Sequence, residues 1–386
     1  MNNNLLIDRV MKLTKLILSA SVAALALVSC NKQDTAPEVA KRLKTVEVSL
    51  DNIVLTKGEA GNKIESGDAV FVKDFQVFLT DGSGNSYEAK IADGSAAAET
   101  YWDAEDLSAA ALEASFHYVD PNCTKVVAIA NVGKPLTFAE YQALAAIKVG
   151  DQQKQDALML FDVKDLVPAG EQHTDANVDG TTYVTDVYEA SLVLTPRISR
   201  FEVDGFTVKF NADPKYEEIN ITQIAFQNYY PETSLATGVE SGTLVNHISN
   251  LADQSEVYTW LDDPSAPTEW YRDHFDITLT PAAPTKDTPK PLAYHFFSCD
   301  ETPVLVIKLL ADGQPAYLYS KGFYAPDSTP VTTFEEGKIY RMSAKGEVEN
   351  DGSIPIDEDD IDPMDRCLEI TVDVVDWAVE LVYPEF

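Results

Sequence analysis

Cys367-Leu-Glu-Ile-Thr-Val-Asp-Val-Val-Asp-Trp-Ala-Val-Glu-Leu-Val-Tyr-Pro-Glu-Phe386 closes the chain and sets its strand period. Leu368, Ile370, Val372 and Val374 fall on one face of an extended strand, with Glu369, Thr371 and Asp373 on the other, because successive strand side chains point to opposite faces. The alternation then changes phase. Val375, Trp377, Val379, Leu381 and Tyr383 continue the apolar face, opposite Asp376 and Glu380. Such a change needs one extra residue, so the pattern predicts a bulge or kink at Val374–Val375 with two short strands around it. A strand of this kind either returns to its own sheet or pairs with another chain.

Working outward, the same period recurs. Val46, Val48 and Leu50 alternate with Glu47 and Ser49, and Ile53 and Leu55 follow the turn-prone Asp51-Asn52, giving a first strand over 45–55. Further strands are predicted over 69–80, 87–91, 115–119, 125–132, 156–163 and 182–194. A second set covers 201–210, 218–228, 257–261, 275–279, 292–298, 303–310, 316–323 and 338–345, with a Pro-bearing loop over 281–291. Val126-Val-Ala-Ile-Ala130 is continuously apolar, as suits a strand buried on both faces. Thr137 and Glu140 form a capping-box pair for one short helix. Many short strands with turn signals read as an all-β chain of two β-sandwiches. The expected boundaries are 45–195 and 196–348, followed by an acidic linker over 349–366, kept extended by self-repulsion, and terminal strands over 367–386.

The amino end is a targeting segment. Lys12 and Lys15 precede an apolar run that ends Leu27-Val-Ser-Cys30, too short and wrongly flanked for a spanning helix. Leu-Val-Ser-Cys resembles a bacterial lipobox, which predicts a signal peptide over 1–30, lipidation at Cys30 and a polar tether over 31–44. Of 386 residues, 63 are Asp or Glu and 29 Lys or Arg, for a formal charge of -34. That balance argues against nucleic acid, whose phosphates need Lys and Arg, and against anionic lipid surfaces as partners. Cys123, Cys299 and Cys367 remain beside Cys30; an odd number leaves at least one free, and a Cys299–Cys367 pairing stays open.

Asp175-Ala-Asn177-Val-Asp179-Gly180 matches a calcium loop at its first positions, with Asp186 at position 12. The competing reading is a polar hairpin loop turned by Asp179-Gly180, since the flanks read as loop and strand rather than as two helices. Beyond this possible calcium no cofactor is expected. The five His residues sit in no nucleophile, zinc or phosphate motif, so no catalytic residue is named and the chain is expected not to be an enzyme. Trp102, Trp260, Trp270 and Trp377 could line a sugar site but more often belong to cores.

Several segments together resemble the fimbrillin family, the FimA-like major fimbrial subunits (type V pilins) of Bacteroidetes. They are the lipobox, Val126-Val-Ala-Ile-Ala-Asn131-Val-Gly133-Lys-Pro-Leu136, Leu194-Thr-Pro-Arg197-Ile-Ser-Arg200-Phe-Glu-Val203, Gly337-Lys-Ile-Tyr340-Arg and Leu368-Glu-Ile-Thr-Val-Asp-Val-Val-Asp-Trp377. The resemblance implies two transthyretin-like β-sandwich domains, with the helix in the N-terminal one. It implies export as a lipoprotein to the outer membrane, then proteolysis after the first strand. The vacated groove would receive the C-terminal strands of a neighbour, and the subunits would build an adhesive fimbrium. Its partners would be copies of itself or other fimbrial subunits, the lipid anchor before maturation and a maturation protease. In this sequence the displaced strand would be Val46, Val48, Leu50, Ile53 and Leu55. The donor residues would be Leu368, Ile370, Val372, Val374, Trp377, Val379 and Leu381. The family is usually cut after Arg; here the loop offers Lys57-Gly58. Without that cut the chain would be an anchor or accessory subunit, or a glycan-binding lipoprotein. Deleting 365–386 is expected to leave folded monomers, and in an isolated chain the tail is expected to be mobile or folded back.

Overall fold

The computed structural model of the chain describes residues 43–50, 53–56, 70–88, 90, 99–103, 113–144, 147–148, 151–152, 157–175, 183–238, 240–241, 243–263, 272–343, 353–362, 366–376 and 379–382. Strands dominate them. In chain order they are β1 Lys44–Leu50, β2 Ile53–Thr56, β3 Val70–Val72, β4 Phe75–Thr80, β5 Ser86–Tyr87, β6 Tyr101–Trp102, β7 Glu113–Val119, β8 Lys125–Ala130, β9 Ile147–Lys148, β10 Leu160–Asp165, β11 Val167–Asp175, β12 Tyr183–Leu192 and β13 Thr195–Pro196. There follow β14 Ile198–Lys209, β15 Ile219–Gln227, β16 Glu232–Thr233, β17 Glu240–Ser241, β18 Arg272–Leu279, β19 Thr285–Phe297, β20 Val304–Ala311, β21 Gln314–Tyr324, β22 Pro330–Val331, β23 Lys338–Ser343, β24 Ser353–Asp357, β25 Cys367–Asp376 and β26 Val379–Val382.

In the first half a sheet ordered β11-β12-β1-β7 and one ordered β13-β10-β8-β4-β5 contribute to one hydrophobic core. β8 lies between β10 and β4, and Val126 to Ala130 are all buried, as its unbroken apolar run predicts. The second half is one long sheet, β18-β15-β20-β21-β25-β23-β14-β19, around its own core of Phe201, Phe226, Phe296 and their neighbours. The two cores meet where β14 begins: Ile198 belongs to the first and Phe201 to the second. Residues 42–386 nonetheless form one compact unit.

Helix α1, Phe138–Gln142, carries the predicted capping box, with Thr137 and Glu140 each bonding the other's backbone. The stretch expected as a strand over 257–261 is instead helix α2, Gln254–Leu261. Its residues are good strand formers, but Asp253 accepts from the Ser255 and Glu256 amides and Val257, Trp260 and Leu261 bury one helical face. Strand β19 starts at Thr285, inside the expected loop; β19 is an edge of its sheet, where prolines are tolerated.

The acidic stretch is not simply a solvated linker. β24 runs parallel to β14 from Gly205 to Lys209, and a 3-10 turn follows over Glu358–Ile361. Glu358 is fully buried, accepting from the amides of Asn211 at 2.6 Å and Lys215 at 3.0 Å. A buried carboxylate stays in a fold only when its oxygens are met by donors.

Candidate functional site

β1 is interior to its sheet. It runs antiparallel to β7, with Val46 opposite Phe116, and parallel to β12, with Val46 opposite Tyr188. Val46, Val48 and Leu50 point into the core; their burial contributes about 5–8 kcal/mol gross. The other face carries a polar row. His117 Nδ1 lies 3.4 Å from Thr45 Oγ1, Thr45 Oγ1 lies 2.7 Å from Thr185 Oγ1, and Thr185 Oγ1 reaches the His173 carbonyl at 3.5 Å. With His117 donating, one directed chain of hydrogen bonds crosses β7, β1, β12 and β11. At the strand's start, Lys44 Nζ donates to the Cys123 carbonyl at 2.5 Å and sits 4.3 Å from the centre of the Tyr188 ring. Burial pushes the Cys123 thiol up to about 11, so it packs as a neutral side chain.

The tail divides into two parts with different neighbours. β25 runs parallel to β21 and antiparallel to β23, and it joins the β18-β15-β20-β21 and β23-β14-β19 halves of the second sheet. Leu368, Ile370 and Val372 are buried in the second core. The ladder to β23 is unbroken from Thr371 to Asp376, through Val374 and Val375, so the bulge expected there is absent. The irregularity lies in the neighbour, between Ser320 and Gly322 of β21. β25 ends at Asp376 and β26 starts at Val379; Trp377 lies outside the described residues.

β26 leaves the second sheet and pairs with the amino-terminal half. It lies between β2 and β3, parallel to both: Val379 opposes Ile53 and Val70, and Leu381 opposes Leu55 and Val72. Val70 and Val72 belong to the first core. The other edge of β3 is met by a side chain. Asn131, at a φ of 62°, accepts from the Lys73 amide at 2.8 Å and donates to the Phe71 carbonyl at 2.7 Å. Residues 71 and 73 face the same strand edge, so Asn131 satisfies that edge and leaves the other for a strand. Asp74, next in the chain, accepts from the Val132 and Gly133 amides at 3.0 Å each; burial pushes its carboxyl up, against the pull of those amides.

Cys30, Lys57, Gly58, Asn177 and Asp179 lie outside the described residues. Asp175 ends β11, and the Asp186 carboxylate accepts from Gln172 Nε2 at 2.9 Å on β11. Among the described residues no group of three acidic, His or Cys side chains could hold a metal ion. Cys299 and Cys367 are not joined by a disulfide. Trp102 stacks on Phe75 at 4.5 Å and Trp260 on His247 at 5.3 Å, both in buried positions. Thr45, His117, His173 and Thr185 are far apart in sequence, and no local pattern marks them. Asn131 carried a signal, standing beside Gly133 after a buried strand.

No family model matches the chain, and no curated protein matches it. Among solved structures it is similar to a candidate cell adhesion protein from Parabacteroides distasonis, at 15% identity over 88% of this chain and 98% of that one, with a TM-score of 0.47. It is similar to a fimbrilin (FimA) from Porphyromonas gingivalis, at 13% identity over 90% and 100% of the two chains, with a TM-score of 0.45. It is also similar to the tip fimbrial protein Mfa3 of Porphyromonas gingivalis with a C-terminal truncation, at 9% identity over 86% and 100%, with a TM-score of 0.36.

Proposed function

We propose that the chain is a structural subunit of a cell-surface fimbrium, exported as a lipoprotein, trimmed at Lys57–Gly58 and polymerised by strand exchange. The observation that carries this reading is the pairing of β26, from the carboxyl end, with β3 of the amino-terminal half, which the cut would leave in place. A contact that one chain makes with itself can be made by two copies when its hinge opens. Two residues of sequence separate β25 from β26, and short connections favour exchange over closure. The resulting contact is head-to-tail, and one that does not close into a ring grows a filament. Main-chain hydrogen bonds would supply the affinity and alternate side chains the specificity.

In this reading β25 anchors the donor and β26 is the donor. Leu368, Ile370 and Val372 stay in their own core, because extracting them would cut the second sheet in two. Deletion of 365–386 therefore removes an interior strand and unfolds the second half. Deletion of 377–386 is the discriminating variant. It should be exported and folded by circular dichroism, yet remain monomeric by sedimentation. Filaments of normal length from it would overturn strand exchange by β26. Sequencing the amino end of the surface protein tests the cut: a start at Gly58 supports a polymerising subunit. A lipidated Cys30 as the sole species supports an anchoring subunit that keeps β1, the reading favoured by Lys rather than Arg in the loop.

A further inference from the structure

The two strands that flank β26 are held very differently. β3 is clamped to the first core through Val70, Val72, Asn131 and Asp74. β2 follows directly from β1 and ends at Thr56, one residue before Lys57. Its ladder to β26 runs over four residue pairs, from Ile53 with Val379 to Thr56 with Val382. The ladder to β3 runs over three, from Val379 with Val70 to Leu381 with Val72. In the whole chain both edges of β26 are thus hydrogen-bonded, and a strand with no free edge cannot add to another sheet.

We infer that β2 is an autoinhibitory strand: it masks one edge of β26, and its removal uncovers the strand that pairs with a second copy of this chain. This rests on the polymerising reading above and adds a second consequence to the cut. One event after Thr56 empties the slot of β1 and bares an edge of the donor. Export of the uncut chain is then safe on both counts, since neither acceptor nor donor is open. β3 is the strand that remains, so the donor is released on one side and guided on the other.

The test uses the full, uncut chain and amide hydrogen exchange. Adjacent amides of a strand face opposite edges, so of the variants Val54→Pro and Leu55→Pro one removes a hydrogen bond to β26. At least one of the two is expected to speed exchange at 379–382 roughly tenfold or more, while the amides of 44–50 keep their protection. Unchanged protection of 379–382 in both variants overturns the mask. So does loss of protection at 44–50 in step with 379–382, since β1 and β2 then act as one unit. Filament formation is read separately, by electron microscopy of chain cut after residue 57. Its absence, with β26 unmasked in the exchange experiment, would end the polymer reading and leave the mask standing.

Discussion

Thr45 is the residue on which the first strand turns. Its hydroxyl is buried between His117 and Thr185 and links three strands in one chain of hydrogen bonds. Replacing it by Val keeps the shape and the strand propensity but leaves buried donors and acceptors unmatched, which costs about 1–3 kcal/mol. Thr45→Val should lower the thermal midpoint of the uncut chain by several degrees, and Thr45→Ser, which keeps the hydroxyl, should restore most of the loss. Equal midpoints for the Val and Ser variants would show that the row contributes nothing. Arg197 has a comparable position at the meeting of the two cores. Its guanidinium donates to the Leu235 carbonyl and to both oxygens of Glu336, and lies over the Phe161 ring. Gly337, at a φ of 68°, passes so close to Thr195 that a Cβ would lie 2.2 Å from its methyl group, so this turn requires glycine.

At the scale of the element, β24 and its 3-10 turn show why an acidic run need not be a tether. Burial pushes the Asp357 carboxyl up, but the Lys209 ammonium and the Asp359 amide outweigh it and hold it below its ordinary value of 3.8. A carboxyl whose folded value is depressed contributes stability above its unfolded value and loses it as pH falls through the folded one. Amide protection at 353–361 should therefore be constant from neutral pH to about 5 and fall only below about 4. Because Lys209 is mostly exposed, the effect should be small and should weaken with salt. Protection that instead rises on acidification would show that repulsion among Asp357, Glu358, Asp359 and Asp360 dominates the segment. β25 makes the complementary point. Its alternation is what a donor strand needs and equally what an interior strand needs, so the pattern could not say which.

For the whole molecule, charge decides how readily copies meet. The chain carries a formal -34, and residues 1–57 hold 8 Lys or Arg against 5 Asp or Glu. A cut after Lys57 therefore leaves a still more acidic subunit. Like-charged subunits repel over a Debye length, about 30 Å at 0.01 M salt and about 8 Å at 0.15 M. Assembly of the cut chain should accelerate severalfold between those two conditions, followed by light scattering. A rate that fell with added salt would show that the contact is made by complementary charges rather than against repulsion.

The sequence by itself determined the period of the strands, the doubly buried β8, the capping box of α1 and the all-β composition. Each depends on neighbours within a few residues, through alternation or a local hydrogen bond. It could not show α2, because a buried helical face and an apolar strand share the same residues until the cap at Asp253 is weighed. It also named the tail as the feature to explain and proposed its exchange. Only the tertiary structure decided which part of the tail is built into the second sheet and which pairs with the amino-terminal half. Whether an alternating strand is interior or terminal depends on what lies on its two edges, and those edges come from residues far along the chain. β25 has β21 and β23, which fix it; β26 has β2 and β3, one of them on a segment that a single cut would remove.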